Sequence, residues 1–282
     1  MNKPGKDDSA RSPFAGCAIL IAALAVMVFL IGFSVLTLFR QFNEIAKFTA
    51  EKPVSIDVTP VENQEAALND LAERIEAFRQ NLAGDTEAKL ALSADELNLA
   101  IAAYDAFKEL RGTFRVLGID AGQMRIAISF PLNGKPRFAR DGETGWIASD
   151  SRYLNGTLIA RPNLLKREIV LSLDSIEVPG KTVAPEFIQQ MSPYRITERY
   201  LLDPVIGPAM AKLTRIEVLD GKVVLIRRPN ENPVDRITDQ QVDSASGRLF
   251  TTIGIAAACF LTFAGIVVFI GVRTKARKAR DL

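Results

Sequence analysis

Met124-Arg125-Ile126-Ala127-Ile128-Ser129-Phe130 alternates large apolar side chains with charged or small ones. That is the period of two required of a strand with one buried face. The β pattern begins near Thr113, and strands are expected to dominate as far as Gly180. Asp120-Ala121-Gly122, Asn133-Gly134 and Asn155-Gly156 carry turn chemistry within it. Between Arg167 and Val178, Ile169, Leu171 and Leu173 hold one parity while Ile176 and Val178 hold the other. The strand is therefore expected to bulge near Asp174 and to bend its sheet. Further on, Pro193, Pro204 and Pro208 divide Pro185 to Leu213 into two or three short helices. Arg215 to Leu219 and Lys222 to Ile226 then flank Asp220-Gly221, the composition of a two-residue type I′ turn, which sets Val218 opposite Val223 and Ile216 opposite Leu225.

Upstream of the β region the period becomes helical. Leu68, Leu71, Ile75, Phe78 and Leu82 form one apolar stripe along Asn63 to Ala83. Two destinations are open to it: the sheet of the same domain, or a second copy or envelope protein partner through a short coiled coil. Ser93-Ala94-Asp95-Glu96 is a capping box that starts another helix, lined by Leu97, Ile101, Tyr104 and Phe107 to about Leu110. The cap accounts for Asp95 and Glu96 without chemistry. The fold class expected is α+β, a curved antiparallel sheet packed with helices and flanked by N- and C-terminal transmembrane helices.

Those flanks are Pro13 to Phe39 and Leu249 to Val272, which hold no Asp, Glu, Lys or Arg. As helices they would be roughly 40 and 36 Å long against a hydrocarbon core of about 30 Å. The first is too long for a signal-peptide core, and Cys17 precedes the apolar stretch rather than ending it, against a lipoprotein signal. Lys3, Lys6 and Arg11 on one tail and Arg273, Lys275, Arg277, Lys278 and Arg280 on the other place both termini in the cytoplasm. The resulting plan is a cytoplasmic tail 1–12, a first span 13–39, a connector 40–62, an extracytoplasmic α+β domain 63–228, a flexible linker 229–248, a second span 249–272 and a basic cytoplasmic tail 273–282. The five basic residues of that last tail could also contact anionic lipid. Small residues, Ala15, Ala18, Ala22, Ala25 and Gly32 on the first span and Gly254, Ala258 and Thr262 on the second, would let the two helices pair closely.

The chain is 48% hydrophobic and 24% charged, with no His and two Cys, Cys17 and Cys259, both in the spans. Its central segment, Gln41 to Gly247, holds 25 Lys+Arg against 30 Asp+Glu, a net charge of −5. Nothing there points to nucleic acid. Without His or an extracytoplasmic Cys, histidine triads, thiol catalysis and histidine metal sites are excluded. The central domain has no Walker loop, G-x-S-x-G, S-x-x-K or G-x-G-x-x-G. Carboxylates alone can hydrolyse glycosides, and Glu143, Asp150, Asp174 and Glu177 are present, but acidic residues on strands usually form solvated faces. The expectation is a protein without catalytic residues, cofactor or metal.

The order of pieces includes Leu92-Ser93-Ala94-Asp95-Glu96-Leu97-Asn98, paired strands, Arg152-Tyr153-Leu154-Asn155-Gly156, a long strand ending Val178-Pro179-Gly180, amphipathic helices, and Val218-Leu219-Asp220-Gly221-Lys222-Val223. Over roughly residues 90–228 this resembles the YpmS-type bacterial membrane-anchored proteins and, more distantly, the tubular lipid-binding (TULIP-like) extracytoplasmic domains. The resemblance implies a strongly curved sheet wrapped on a helix, with an apolar interior able to hold an acyl chain, and brings no catalytic residues. The second span departs from the single-anchor pattern. The expected function is binding of a lipid or other apolar ligand in maintenance of the cell envelope, in a groove left by the bulged strand. The alternative is a non-catalytic scaffold or accessory subunit of a membrane protein complex.

Overall fold

A computed structural model describes residues 13–84 and 86–233. Its elements are α1 (Pro13–Phe48), α2 (Glu65–Ala83), β1 (Ala88–Ser93), α3 (Ala94–Ala103), β2 (Phe114–Asp120), β3 (Gln123–Phe138), β4 (Ile147–Leu165), β5 (Glu168–Glu177), α4 (Pro185–Met191), α5 (Ile206–Ala211), β6 (Arg215–Leu219) and β7 (Lys222–Arg227). The chain divides into two compact units between Arg40 and Gln41.

In the first unit, α1 is apolar around its circumference. Leu24, Val28, Phe29, Ile31 and Leu36 are all exposed, Phe29 stacks on Phe33, and the Thr37 hydroxyl donates to the Phe33 carbonyl at 2.8 Å. Its stretch Leu24–Phe48 contains an 18-residue window with a mean hydropathy of 1.9 and is long and apolar enough to cross a membrane. The second apolar run, Leu249 to Val272, lies outside the described residues.

The second unit is α+β with two antiparallel sheets where one was expected. The meander β2-β3-β4-β5 contains the alternating stretch that begins at Met124, with Met124, Ile126, Ile128 and Phe130 buried. The other sheet, β1-β7-β6, is built from the Asp220-Gly221 hairpin and a strand from the opposite end of the domain. Hairpin pairing is as expected, Val218 to Val223 and Ile216 to Leu225, with φ positive at Asp220 and Gly221. Both sheets bury their apolar faces in a common core: Leu154 and Leu158 of β4 are fully buried, and Leu90, Ile216 and Val223 join them. The bulge falls where the parity break placed it, since Ile159 pairs with Ser175 and Ala160 with Leu173, leaving Asp174 as the extra residue.

Two expected turns are interior strand instead. Asn155-Gly156 sits within β4, opposite Ser129 and Ile128. Gly156 is needed for close approach, because a Cβ there would collide with the Glu177 carbonyl of β5. Asn133-Gly134 lies in β3 beside a register shift, with the Asp150 carbonyl against Gly134. The turn that joins β4 to β5 is made by Lys166 and Arg167, both at positive φ; no Gly, Asn or Asp marks it.

The helices also differ in detail. α1 runs on to Phe48, through residues expected to be connector, because Gln41–Phe48 holds no helix breaker and its last residue is buried. Residues 51–61 lie outside helix and strand and are lashed across the face of β2, β3 and β4 opposite the core side chains. The Val54 N–H is 3.2 Å from both Ser129 Oγ and Asn155 Oδ1, Asn155 Nδ2 donates to the Lys52 carbonyl at 3.0 Å, and Arg115 donates to the Asp57 carbonyl at 3.0 Å. The stripe on α2 turns into this chain's own core, where Leu71, Phe78 and Leu82 are buried and Leu68 and Ile75 half-buried. Of the two destinations open to it, the stripe takes the core of its own domain. At α3 the capping box forms as expected, but the helix stops at Ala103, where the Arg111 guanidinium donates to the Ile101 carbonyl, and a 3₁₀ turn takes over at Asp105–Leu110.

Candidate functional site

Because β3 and β4 are 16 and 19 residues long, their hairpin projects beyond its sheet neighbours: β2 pairs only with Met124–Ile128 and adjacent residues, and β5 only with Thr157–Leu165. The last paired residues of the projection are Phe138 and Ile147. At its tip Phe138, Trp146 and Ile147 are 86%, 89% and 70% exposed. Phe138 and Ile147, directly opposite, share a face of the ribbon, and Trp146 precedes Ile147 where the pairing ends.

A loop containing Gly142 and Gly145 would ordinarily be loose, but here Arg137 fixes it. The guanidinium donates to both Glu143 carboxylate oxygens at 2.7 Å and through Nε to Asp150 at 2.7 Å. The Arg140 N–H donates to Glu143 at 2.7 Å, and the Ala139 N–H donates to the Trp146 carbonyl at 3.1 Å. Hydrogen bonds from Arg137, then from the Arg140 backbone, hold the Glu143 carboxyl down to about 2 from its usual 4.5. Glu143 and Asp150 thus serve as anchors for an arginine, and Asp174 likewise takes Arg161 and Gln123. Glu143, kept ionised this firmly, is poorly suited to act as a general acid.

At the other end of the projection, β4 meets the foot of α1. Arg152 donates to the Thr49 hydroxyl at 2.7 Å and to the Ala46 and Thr49 carbonyls at 3.1 Å, and Lys181 donates to the Thr49 carbonyl at 2.8 Å. Two cations therefore stand at the C-terminal end of α1, on the Ala46 carbonyl and on that of Thr49 just past the helix, where the helix dipole is negative. Phe48 packs on Phe187 of α4, with ring centroids 4.8 Å apart. Ala50 pairs with Tyr153 in a single bridge. Ile147 is five residues from Arg152 along β4, so the aromatic tip is about 17 Å from the foot of α1.

A second apolar patch, Leu201, Leu202 and Val205, is exposed ahead of α5, with Leu202 the most open at 96%. In the cleft between residues 57–59 and α3, lined by Asn98, Ile101 and Phe114, the free volume is about 10 Å³. That is room for about one water.

Of the residues singled out from sequence, Ala25 and Gly32 are exposed on α1, as are the large apolar residues around them. Ala15, Ala18 and Ala22 fall within the same helix. Their intended partners Gly254, Ala258 and Thr262, and the basic residues Arg273, Lys275, Arg277, Lys278 and Arg280, lie outside the described residues. Sequence reasoning missed Phe138, Trp146 and Ile147. The available signal was a tryptophan and two large apolar residues bracketing the Gly- and charge-rich run Arg140 to Gly145. In comparisons with known proteins, the chain matches no family model, no curated protein and no solved structure.

Proposed function

We propose that this is a two-pass membrane protein of the cell envelope whose central domain, on the extracytoplasmic side, binds a lipid or other apolar ligand without doing chemistry. The observation that carries this reading is the exposure of Phe138, Trp146 and Ile147 at the end of a hairpin whose loop is pinned by Arg137. Surface apolar residues scattered singly need no explanation, but a cluster held in place does. The reading moves the contact from a groove inside the sheet to the outside of the domain: Leu154, Leu158 and Leu164 already fill the core face of β4 at 1% exposure or less. The likeness to YpmS-type and TULIP-like domains belongs to this proposal. It draws support from the antiparallel meander, the Ser93 capping box and the Asp220-Gly221 hairpin.

The test is extraction of the full chain into native polymer nanodiscs, followed by lipid extraction and mass spectrometry. Enrichment of particular lipids over the surrounding membrane supports the reading, and a composition equal to that membrane overturns it. A second reading, a non-catalytic accessory subunit, is favoured by the separate Leu201, Leu202 and Val205 patch. It predicts crosslinks from that patch to one envelope protein.

A further inference from the structure

We infer that the β3–β4 hairpin tip is a membrane-docking element, with Phe138, Trp146 and Ile147 seated in the lipid–water interface. The inference rests on the proposed binding of lipid or apolar matter and names both the place and the partner. Three observations select a bilayer surface as the occupant. The first is attachment: the unit carrying the tip includes the last turns of α1, a helix long and apolar enough to cross a membrane, and the tip is about 17 Å from the foot of that helix along β4. A domain tethered there samples a bilayer surface far more often than any soluble partner.

The second is side-chain chemistry. Tryptophan and phenylalanine beside an aliphatic residue, with arginines behind them, are the combination favoured at headgroup depth, where the ring is apolar and the indole N–H finds a polar partner. The third is preorganisation. Arg137, Glu143 and Asp150 fix the loop, so little conformational entropy remains to be lost when the tip enters lipid. Charge adds a constraint: Lys135, Arg137 and Arg140 are balanced by Asp141, Glu143 and Asp150, and the tip is neutral. Docking should then depend on apolar burial and be nearly indifferent to lipid charge and to salt.

Trp146 is the chain's one tryptophan, so intrinsic fluorescence reports the tip directly. The full chain is reconstituted into phosphatidylcholine vesicles containing lipids brominated near the headgroup end or near the methyl end of the acyl chain, with iodide as the aqueous quencher on both sides. The expected result is strong quenching by the shallow bromolipid, weaker quenching by the deep one, and protection from iodide. Anionic phosphatidylglycerol should leave this pattern unchanged. The variant Phe138→Ser/Ile147→Ser, with far-UV circular dichroism as the check on folding, should lose most bromolipid quenching and become open to iodide. A tryptophan moved to the other apolar patch, Trp146→Phe/Leu202→Trp, should report water.

Free access of iodide to Trp146 with no bromolipid quenching overturns the inference. So does protection from both quenchers, which would place a protein or a second copy on the tip. Equal bromolipid quenching at position 202 also overturns it, because the domain would then lie on lipid without using the hairpin. If the tip stays aqueous while lipids still co-purify selectively, the docking element falls and the broader lipid-binding proposal stands.

Discussion

The Asn98 side chain takes the place of a neighbouring strand. Its Nδ2 donates to the Val116 carbonyl at 2.7 Å, and its Oδ1 accepts from the Val116 N–H at 2.8 Å. The two bonds satisfy both backbone groups of one residue on β2, just before the bulge between Val116 and Gly118. Asn98 is buried, so its removal exposes the cost of an unpaired amide and carbonyl rather than the worth of two bonds. Asn98→Leu should lower stability by about 2–4 kcal/mol, read as a fall in the urea midpoint at unchanged slope. A midpoint equal to that of the native chain would mean that water replaces the amide. Gly156 presents the complementary case, with no side chain because there is no space for one. Gly156→Ala pushes a methyl group into the Glu177 carbonyl and should cost about 1–3 kcal/mol, the usual penalty of overpacking. The same substitution at Gly118, where a Cβ meets nothing within 4 Å, is the control and should be close to neutral.

Among the elements, the β3–β4 hairpin has the most distinctive electrostatics. The Glu143 carboxyl is lowered to about 2 in the folded chain from a usual 4.5. Its contribution to loop order is therefore fully present above about pH 4.5 and is lost as the pH falls through about 2. Trp146 anisotropy should fall across that window while far-UV circular dichroism, dominated by the rest of the domain, changes separately. Glu143→Gln should lower the anisotropy already at neutral pH and remove the acid step. If the native chain and the Glu143→Gln variant track each other at every pH, the Arg137–Glu143 pair does not hold the loop. This hairpin was only half legible in the sequence. Alternation at Met124–Phe130 revealed its first strand, as the parity break at Asp174 revealed the bulge of the neighbouring β5, since both are local patterns. By contrast, the reach of β3 through Asn133-Gly134 was hidden, because a glycine needed for close packing is indistinguishable in sequence from a glycine needed for a turn. β1 was invisible for another reason: Ala88-Lys89-Leu90-Ala91-Leu92-Ser93 has helical propensity, and only pairing with β7, far along the chain, makes it a strand.

At the scale of the whole molecule, the apolar exterior of α1 and the buried core of the Gln41–Val242 unit obey opposite solvent rules. A helix with Leu24, Val28, Phe29, Ile31 and Leu36 all exposed is at odds with water and suited to lipid. Which side the folded unit occupies is a matter of charge. Lys3, Lys6 and Arg11 precede α1, and in the proposed topology the positive-inside rule keeps them, and the N-terminus with them, in the cytoplasm and leaves the domain outside. Arg273, Lys275, Arg277, Lys278 and Arg280 follow the second apolar run, and in the proposed topology the same rule keeps that end inside. Protease added to intact spheroplasts should therefore digest the central domain and leave epitope tags on both tails protected until the membrane is breached. Protection of the central domain would reverse the orientation, and digestion of the C-terminal tag alone would make the chain single-pass. Reversing Arg273, Lys275, Arg277, Lys278 and Arg280 to Glu separates charge from apolar length as the cause. If these cations retain the C-terminal tail, the variant should show an externally accessible C-terminal tag in a substantial fraction of chains, with the N-terminal tag still protected; no change would leave the apolar run and the first span as sufficient determinants of topology.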